Sequence, residues 1–451
     1  MRLRSRMAVF CAKVVQMIIM RSGRGRGSTL PGYIARRIDP RILSVLSAIV
    51  RDRIIAVTGT NGKTTVNRII CQGLEAEGRK VVCNRLGANL PEGVISAFVQ
   101  AADWSGNLRA DYACLEVDEL SAPGIFPELE PDLVLVTNLF RDQLDRAGEV
   151  DSVCRKLESA MGSVPEAKLA VNCDDICSLR LALDCGNPVV TYGISEKIAE
   201  DIPCGSREMV FCPLCGKKLE YDFFQYGQLG IYRCRGCGLK RPEPDVQAGG
   251  ITFRNGRCSY RLQGISVTTR TQAPYSVYNT LAAYAALEAV DGPRESFPRM
   301  ISGFDYGNNR ENLFVIGEAR VQLYLAKNPV GFQQKIFLLG KDPECKDVVI
   351  QINDSKLDGE DVSWLWDVDY RYLARAGASS ITAGGARGED MKLCLEYEDI
   401  PCEVTGDIRG TVEELTVSGS KNIYFITNYS GLYAAGRMLD EMQSGWKAGP
   451  G

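Results

Sequence analysis

No histidine occurs among the 451 residues of this chain. Its absence removes from the chain every histidine general base, every histidine-dependent nucleophilic triad and every histidine metal ligand. Acid–base or metal chemistry must therefore use Asp, Glu, Lys or Cys side chains, or residues that a partner supplies. Hydrophobic residues make up 45% and charged residues 24%, as in folded globular proteins. The length suggests about three domains.

The sequence also has no hydrophobic run long enough for a transmembrane helix. The apolar stretch at residues 7–20 is interrupted by Lys13 and Gln16, and it is shorter than the roughly 20 residues that a bilayer requires. No small-residue cleavage site follows it, as a secretion signal would need. The seventeen cysteines are odd in number, which favours reduced thiols over a disulfide framework. We therefore expect a cytoplasmic protein.

Acidic residues are absent from residues 1–38, which contain nine basic residues. This segment carries +9, and because the whole chain carries −3, the remainder carries −12. Two interpretations are open: a helix packed on the protein with solvated arginines, or a helix lying on the anionic inner face of the cell membrane.

Short apolar runs alternate with helical stretches, a pattern typical of an α/β fold with parallel sheets covered by helices. The first region predicts strands at Arg53–Val57, Lys80–Cys83, Tyr112–Val117, Leu133–Thr137, Leu169–Asn172 and Val189–Tyr192. After a linker-like stretch (291–300), a second region predicts strands at Val321–Leu325, Val348–Ile352, Ser380–Thr382, Cys402–Val404 and Ile423–Ile426. We expect a basic helical segment (1–50), a central domain (51–298) and a C-terminal domain (299–451).

The strongest motif is a glycine loop between a predicted strand and a predicted helix. Such a loop turns backbone N–H groups toward phosphate oxygens, its lysine reaches the β- and γ-phosphates, and the following hydroxyl ligates Mg²⁺. The helix adds its positive N-terminal end. The predicted phosphate-binding residues are Gly59, Thr60, Asn61, Gly62, Lys63, Thr64 and Thr65.

Glu116 ends the strand predicted at Tyr112–Val117. Ligands of open parallel sheets bind at the carboxyl ends of the strands, where a carboxylate can hold Mg²⁺ beside the phosphates. The segment TNLFRDQLDR (137–146) follows a neighbouring strand and should face the same crevice. A solvated acidic loop is the alternative interpretation of Glu116.

Four cysteines form two C-x2-C pairs, with 18 residues between the pairs, in a turn-rich inserted segment at 204–244. This spacing is typical of zinc sites. Four thiolates leave no open coordination position, so we expect a structural zinc ion. The predicted ligands are Cys212, Cys215, Cys234 and Cys237.

The loop and TNLFRDQLDR together resemble the Mur ligase family, which joins groups to carboxylates through an acyl phosphate. In those ligases a UDP-binding domain precedes the glycine loop, and here too few residues precede the loop to form that domain. The cysteine ribbon, AKNPVGF (326–332) and DGEDVSWLWDVDY (358–370) narrow the resemblance to the MurT family. It implies a Mur-ligase-like P-loop central domain with an inserted zinc ribbon, and a Rossmann-like C-terminal α/β domain.

The resemblance assigns roles to further residues. Asn279 corresponds to an adenine-contacting asparagine, and Arg310 to an arginine that the C-terminal domain brings to the nucleotide. Asp361 corresponds to an aspartate that completes a triad with the Cys and His of a partner glutaminase, GatD. The residue pattern alone is equally consistent with a second interpretation, in which the acidic residues around Asp361 are solvated surface charges. Gln143 stands where Mur ligases generally have histidine.

The resemblance implies ATP-dependent amidation of the D-glutamate α-carboxylate of lipid II, giving D-isoglutamine, with ammonia from GatD. ATP, Mg²⁺ and structural Zn²⁺ are the implied cofactors, and the substrate would lie at the cytoplasmic membrane face. One alternative is a ligase that adds an amino acid, like folylpolyglutamate synthase. Another is a nucleotide-switched nucleic-acid-binding protein, but the −12 charge of the remaining chain predicts no nucleic-acid partner.

Overall fold

The computed structural model describes residues 1–22, 28–85, 87–142, 148–198, 209–254, 256–271, 273–306, 311–355 and 358–447. The helices are α1 (Leu3–Ser22), α2 (Leu30–Ile38), α3 (Ile42–Ser47), α4 (Lys63–Ala76), α5 (Pro91–Ala101), α6 (Ala122–Leu129), α7 (Val150–Gly162), α8 (Ile176–Asp184), α9 (Pro274–Ala289), α10 (Phe297–Gly303), α11 (Pro329–Leu339), α12 (Arg371–Arg375), α13 (Gly388–Tyr397), α14 (Ile408–Val417) and α15 (Tyr429–Lys447).

Eleven strands form the first sheet and a separate hairpin. They are β1 (Arg53–Thr58), β2 (Val81–Cys83), β3 (Tyr112–Glu116), β4 (Leu133–Val136), β5 (Lys168–Asn172), β6 (Val189–Ile194), β7 (Glu220–Tyr226), β8 (Leu229–Arg233), β9 (Val246–Arg254), β10 (Arg257–Leu262) and β11 (Ile265–Thr269). The nine-stranded sheet has the order β11-β10-β9-β6-β5-β4-β1-β3-β2, and β7 pairs with β8. Strands β9 to β2 in this order are parallel, whereas β10 and β11 are antiparallel.

The central strands are buried on both faces. β3 and β4 are buried throughout, as continuous apolar parallel strands must be when helices cover both sides of a sheet. Alternate residues of β1 belong to two different cores: Ile54 and Ala56 pack with α1–α3 and α5–α8, and Ile55 and Val57 pack with α4 and α9. The N-terminal helices therefore cover one face of this sheet.

A six-stranded sheet follows, formed by β12 (Glu311–Ile316), β13 (Ala319–Leu325), β14 (Lys346–Gln351), β15 (Ala378–Gly384), β16 (Glu403–Thr405) and β17 (Asn422–Thr427). Its order is β12-β13-β17-β14-β15-β16. All neighbours are parallel except β12 and β13. The predicted α/β fold is therefore present in both regions.

Three local expectations need correction. The helix after the glycine loop begins at Lys63, three residues before the predicted start at Val66. The strands β9–β12 were not predicted, because much of β9 is half-exposed or exposed and lacks a continuous apolar run. The linker-like stretch contains the start of α10, where Phe297 and Ile301 are buried.

Candidate active site

The glycine loop turns sharply between β1 and α4. Gly59 has a φ of +115° and Gly62 a φ of +90°, a region that side chains other than glycine rarely adopt. A Cβ on Gly59 would collide with Thr137, and one on Gly62 would collide with Asn279. The two glycines therefore allow the end of β4 and helix α9 to approach the N-terminus of α4.

The segment after β4 fixes the loop by hydrogen bonds. The Asn61 N–H donates to Asn138 Oδ1 (2.9 Å), and Asn138 Nδ2 donates to the Asn61 carbonyl (3.0 Å). The Thr60 hydroxyl donates to the Phe140 carbonyl (3.0 Å) and accepts from the Phe140 N–H (2.9 Å). The loop is thus held in one conformation by the described residues of TNLFRD.

Lys63 is the first residue of α4 and is buried. Its Nζ donates to Glu119 Oε1 (2.7 Å) and to the Gly59 carbonyl (2.5 Å). Burial lowers the pKa of Lys63, but the carboxylates of Glu119, Glu116 and Asp118 outweigh burial and raise this pKa above its usual value. Lys63 therefore keeps its positive charge at neutral pH.

Glu116, the last residue of β3, is 3% exposed. Its Oε2 accepts a hydrogen bond from the Thr64 hydroxyl (2.8 Å), and its Oε1 accepts one from Asn89 Nδ2 (3.0 Å). The structure therefore brings together the two predicted Mg²⁺ ligands. Adjacent hydroxyl and carboxylate oxygens suit Mg²⁺, which prefers oxygen ligands, so these residues fit the ion that the sequence predicts.

A cavity of about 140 Å³ leads from the loop to the second sheet. Gly62 and Thr65 line one end, and Asn279 and Tyr275 of α9 line one wall. The C-terminal region contributes the opposite wall. Its lining residues include Lys327, Asn328 and Gln334. Asn279 thus lies beside the glycine loop, and its contact with adenine stays a prediction of the resemblance.

Gln334 is the functional candidate that the sequence analysis missed. It is 3% exposed, lines the cavity, and neither its amide nitrogen nor its amide oxygen has a hydrogen-bond partner among the described residues. Its neighbour Gln333 exchanges two hydrogen bonds with the backbone of Asp369 (3.0 and 2.8 Å). Gln334 therefore offers a donor and an acceptor to a ligand in this cavity. The only signal in the sequence was a polar pair inside an apolar helix.

Polar contacts join the two sheet regions around the cavity. Lys327 pairs with Asp142, and Arg141 Nη1 lies 3.2 Å from Asp367 Oδ2. Asn328 Nδ2 donates to Asn61 Oδ1 of the glycine loop (3.1 Å). Arg310 and Gln143, both singled out in the sequence, lie outside the described residues.

Asp361 lies in the segment that follows β14. Its Oδ1 accepts the Ser363 N–H (2.8 Å), and hydrogen bonds from Ser363 lower the pKa of the Asp361 carboxyl. The side chain is half-exposed. The neighbouring Asp358 is buried and accepts hydrogen bonds from Ser355 and Ser430 (both 2.8 Å). Asp361 is therefore the more accessible of these two carboxylates.

The four predicted zinc ligands converge. Their Sγ atoms all lie within 4.8 Å of one another, with Cys212 and Cys237 3.5 Å apart and Cys215 and Cys234 3.4 Å apart. A tetrahedral ion with Zn–S bonds of about 2.3 Å places its sulfurs about 3.8 Å apart. A hydrogen bond from the backbone of Cys237 lowers the pKa of Cys234, whereas burial raises the pKa of Cys212, so the convergence of the four sulfurs is the observation that supports a metal site. The cluster therefore fits a structural zinc ion.

The β7–β8 hairpin reaches from the cysteine cluster to the cavity. Tyr226 at the end of β7 lines the cavity, and its ring packs edge-on against Tyr278 of α9 (5.7 Å between centroids). Gly227 at the turn adopts a φ of +54°, where a Cβ would lie 3.1 Å from the Phe140 ring and 3.3 Å from Val330. The hairpin tip thus lies between both sheet regions.

Comparison with known proteins defines the class. The Mur ligase middle domain family matches residues 57–287, and the family described as MurT ligase C-terminal matches residues 325–432. The pseudomurein peptide ligase type C of Methanothermus fervidus has the same fold, with a TM-score of 0.66 and 20% identity over 88% of this chain and 80% of that chain. The fold and the glycine loop thus define a Mur-type ligase. Mur ligases use ATP and Mg²⁺.

Two relatives identify the family within the Mur-type ligases. The chain is 30% identical over 449 residues to the lipid II isoglutaminyl synthase (glutamine-hydrolyzing) subunit MurT of Staphylococcus aureus (strain COL), covering 98% of both chains. It is 30% identical over 451 residues to that subunit of Streptococcus pneumoniae (strain ATCC BAA-255 / R6), again covering 98% of both. The chain belongs to the MurT family. The resemblance and the fold class predicted from the sequence are thereby confirmed.

Proposed function

We propose that the chain is the ligase subunit of a lipid II isoglutaminyl synthase, which amidates the α-carboxylate of D-glutamate in the lipid II stem peptide. The observation that carries this proposal is membership of the MurT family over 98% of the chain, together with a cationic Lys63 paired with Glu119 and a Thr64–Glu116 hydrogen bond. Lipid II and the glutaminase partner come from the names of the relatives.

In this proposal ATP binds between the two sheet regions, with its base in the cavity. The backbone of the glycine loop and the N-terminus of α4 bind the phosphates, and Asn279 and Gln334 hydrogen-bond the base. The Glu116 carboxylate and the Thr64 hydroxyl hold Mg²⁺, which when bound neutralises charge on the phosphate oxygens. Arg310 remains a proposed nucleotide contact of the C-terminal region.

The reaction needs an activated carboxylate, because a carboxylate is a poor acyl donor. Phosphoryl transfer from ATP to the D-glutamate carboxylate gives an acyl phosphate, and Lys63 stabilises the negative charge on the transferred group. Ammonia then attacks the acyl carbon, a C–N bond forms, and phosphate leaves with the electrons of the C–O bond. The one proton that the attacking ammonia loses passes to solvent.

A GatD-type glutaminase supplies the ammonia. The chain has no histidine, so glutamine hydrolysis by a Cys–His pair would take place on the partner. Asp361, half-exposed and with a lowered pKa, would orient and stabilise the partner's histidine as the acid of a triad. We further propose that the four-cysteine cluster holds structural Zn²⁺.

The choice of nucleophile tests this function against the amino-acid-adding alternative. The full chain, copurified with its glutaminase, is supplied with lipid II, ATP, Mg²⁺ and either glutamine, ammonium chloride or free amino acids. We expect carboxamide formation with glutamine and with ammonium, and no amino-acid adduct, by mass spectrometry of the stem peptide. An adduct with an amino acid, or the absence of any ATP-dependent product, would contradict the proposal.

A further inference from the structure

Helix α1 has apolar residues on two opposite faces. One face packs on the protein, where Ala8, Val9 and Ala12 are fully buried. The other face carries exposed apolar side chains spaced three or four residues apart, which places them in one line along the helix. We call this line the α1 stripe: Leu3 (76% exposed), Met7 (54%), Phe10 (52%), the half-buried Val14, and Ile18 (58%).

Trp104 extends the α1 stripe. Its ring is 49% exposed and lies edge-on to Phe10, with 5.8 Å between the centroids. Lys13 Nζ lies 5.9 Å from the centroid of the same ring. Tryptophan favours the boundary between water and the apolar part of a bilayer, because its ring is amphipathic.

Basic residues dominate the charge around the α1 stripe, and Asp103, beside Trp104 and near Lys13, is the acidic exception. Arg2, just before α1, and Arg6 and Arg21 on α1 are exposed, and residues 1–38 contain no acid. At about 100° per residue, Arg6 lies on one flank of the stripe. The rest of the chain carries −12 and would be repelled by an anionic surface, so the charge distribution would orient the α1 face toward such a surface.

Helix α1 has two apolar faces separated by polar and basic residues, as in a helix that lies between a protein and a second apolar surface. Here the protein covers only one face of α1. None of the helices that the structure describes is both long and apolar enough to cross a membrane. We propose that the α1 stripe docks the chain on an anionic lipid bilayer, with α1 lying in the interface. This inference rests on the proposed function insofar as lipid II is a membrane-borne substrate.

The position of α1 relative to Glu116 suits this arrangement. Lys13 Nζ donates to the carbonyl of Gln100 at the end of α5 (3.4 Å). Asn89, just before α5 begins, donates to Glu116. One helix of 11 residues, about 16 Å long, therefore separates the α1 region from the acidic site. Docking through the stripe would keep the site near the surface that carries the substrate.

Vesicle binding tests the proposal. The full chain with its glutaminase is sedimented with phosphatidylcholine vesicles, with or without about one third phosphatidylglycerol. We expect binding to the anionic vesicles, weakened by about 0.5 M salt, and little binding to neutral ones. Equal binding to both vesicle types, or no binding to either, would overturn the proposal.

A triple variant tests the apolar contribution at constant charge. Exposed apolar side chains are replaced by Gln, a good helix former: Leu3→Gln, Met7→Gln and Ile18→Gln. We expect vesicle affinity to fall by about 10-fold or more, because these side chains no longer enter the apolar layer. Val417→Gln, which replaces a 75% exposed apolar residue of α14, is the matched control and should bind like the unchanged chain. Unchanged binding by the triple variant would overturn the proposal.

A second triple variant tests the charge: Arg2→Gln, Arg6→Gln and Arg21→Gln. Each basic side chain near an anionic surface contributes about a fivefold factor, so we expect affinity to fall by about 100-fold. Arg437→Gln, on α15, is the control.

Two further results of the apolar variant would overturn the proposal. Loss of glutaminase binding would show that the stripe contacts the glutaminase, and loss of a concentration-dependent dimer would show that it contacts a second copy of the chain.

Amidation of a soluble D-glutamyl stem peptide, measured on the same samples, separates this inference from the proposed function. Vesicle binding without amidation would contradict the function alone. Normal amidation with no vesicle binding would contradict the docking alone.

Discussion

The ionisation of Lys63 controls both the stability and the chemistry expected at the glycine loop. Three carboxylates overcome the effect of burial and raise the pKa of this lysine. A raised lysine pKa stabilises the fold below the unfolded-state pKa of about 10.4, and that stabilisation is lost as pH rises through the folded-state pKa. The ion pair with Glu119 should therefore contribute fully at neutral pH.

Replacing Lys63 by Met tests both effects. We expect ATP turnover to fall at least 100-fold, about the effect of removing one catalytic donor, and the free energy of unfolding to fall by about 3 kcal/mol because Glu119 loses its buried partner. The stability difference should be constant between about pH 6 and 9 and should shrink above about pH 10. Urea unfolding and ATP hydrolysis with lipid II measure these changes.

The control is Lys168→Met, because Lys168 Nζ also donates to a carbonyl, that of Ala289, but at the amino end of β5, whereas the glycine loop follows the carboxyl end of β1. It should retain ATP turnover. Normal turnover in the Lys63 variant would remove this residue from the proposed mechanism.

Gln334 permits a prediction in which stability and function change in opposite directions. Its two amide atoms are buried without partners, so Gln334→Leu should leave the ligand-free protein equally stable or stabilise it by about 1 kcal/mol. The same change should raise the KM for ATP about 10-fold, because two hydrogen bonds to the base are lost. Thermal unfolding without ATP and steady-state kinetics measure the two effects.

Gln333→Leu is the matched control at the adjacent position. It breaks the two hydrogen bonds with Asp369, so the melting temperature should fall while the KM for ATP stays unchanged. If Gln334→Leu lowers the melting temperature without changing the KM, Gln334 has a structural role and does not contact the nucleotide.

Asp361→Asn should separate the two half-reactions. If Asp361 serves the histidine of the glutaminase, glutamine-dependent amidation should fall by up to about 10⁴-fold, as in serine-protease triads, whereas ammonium-dependent amidation should continue. The test compares both nitrogen sources on the same complex. Asp354→Asn, which breaks a half-exposed pair with Arg387, is the control. Equal loss with both sources would place Asp361 in the ligase site.

The role of a single residue could be predicted from the sequence where that role depends on residues next to it in the chain. Gly59, Gly62, Lys63 and Thr64 lie in one short loop, so their arrangement follows from the motif. Glu119 and Gln334 were not recognised, because their significance depends on burial and on contacts between distant segments. The separation of two residues along the sequence does not show whether they are buried or in contact.

Among secondary-structure elements, the buried parallel strands were the easiest to predict. β3 and β4 are continuous apolar runs because helices cover both faces. β9 has no such run, since many of its side chains are half-exposed or exposed. The start of α4 was placed too late, because Lys63 and Thr64 are polar although they belong to the first turn of the helix.

The β7–β8 hairpin links the cysteine cluster to the nucleotide cavity, which predicts an effect of metal on ATP binding. We expect about one Zn per chain by elemental analysis, and loss of it in Cys215→Ser. Because Tyr226 lines the cavity, this loss should also raise the dissociation constant for ATP several-fold and make the segment after residue 209 more sensitive to proteases.

Cys345→Ser provides the control, since Cys345 is exposed and outside the cluster. It should keep both zinc and ATP affinity. A metal-free, folded protein with normal ATP affinity would contradict the zinc assignment and the proposed coupling together. Loss of zinc with unchanged ATP affinity would contradict the coupling alone.

For the whole molecule, alternation of strands and helices predicted two α/β regions, but not how they meet. The family resemblance supplied the expectation that a nucleotide lies between them. The contacts that join the regions, such as Lys327 with Asp142, connect residues 185 positions apart. The spacing of apolar residues, every two residues in strands and every three to four in helices, does not reveal such distant pairs.

The pair Arg141–Asp367 should influence how readily the two regions close over ATP. Both side chains are about three-quarters buried, and neither lines the cavity, so their removal does not delete a direct nucleotide contact. A partly exposed pair contributes about 1 kcal/mol. If that energy favours the closed arrangement, Arg141→Gln and Asp367→Asn should each weaken ATP binding about threefold to fivefold, because a smaller fraction of molecules is competent to bind.

The double variant decides whether the two residues act as a pair. It should bind ATP no more weakly than either single variant, since the second change removes an interaction that is already lost. Small-angle X-ray scattering without ATP should show a larger radius of gyration in all three variants, and saturating ATP should restore the dimension of the unchanged protein. Additive losses of affinity, with no change in the radius of gyration, would mean that the two residues act separately and that this pair does not control closure.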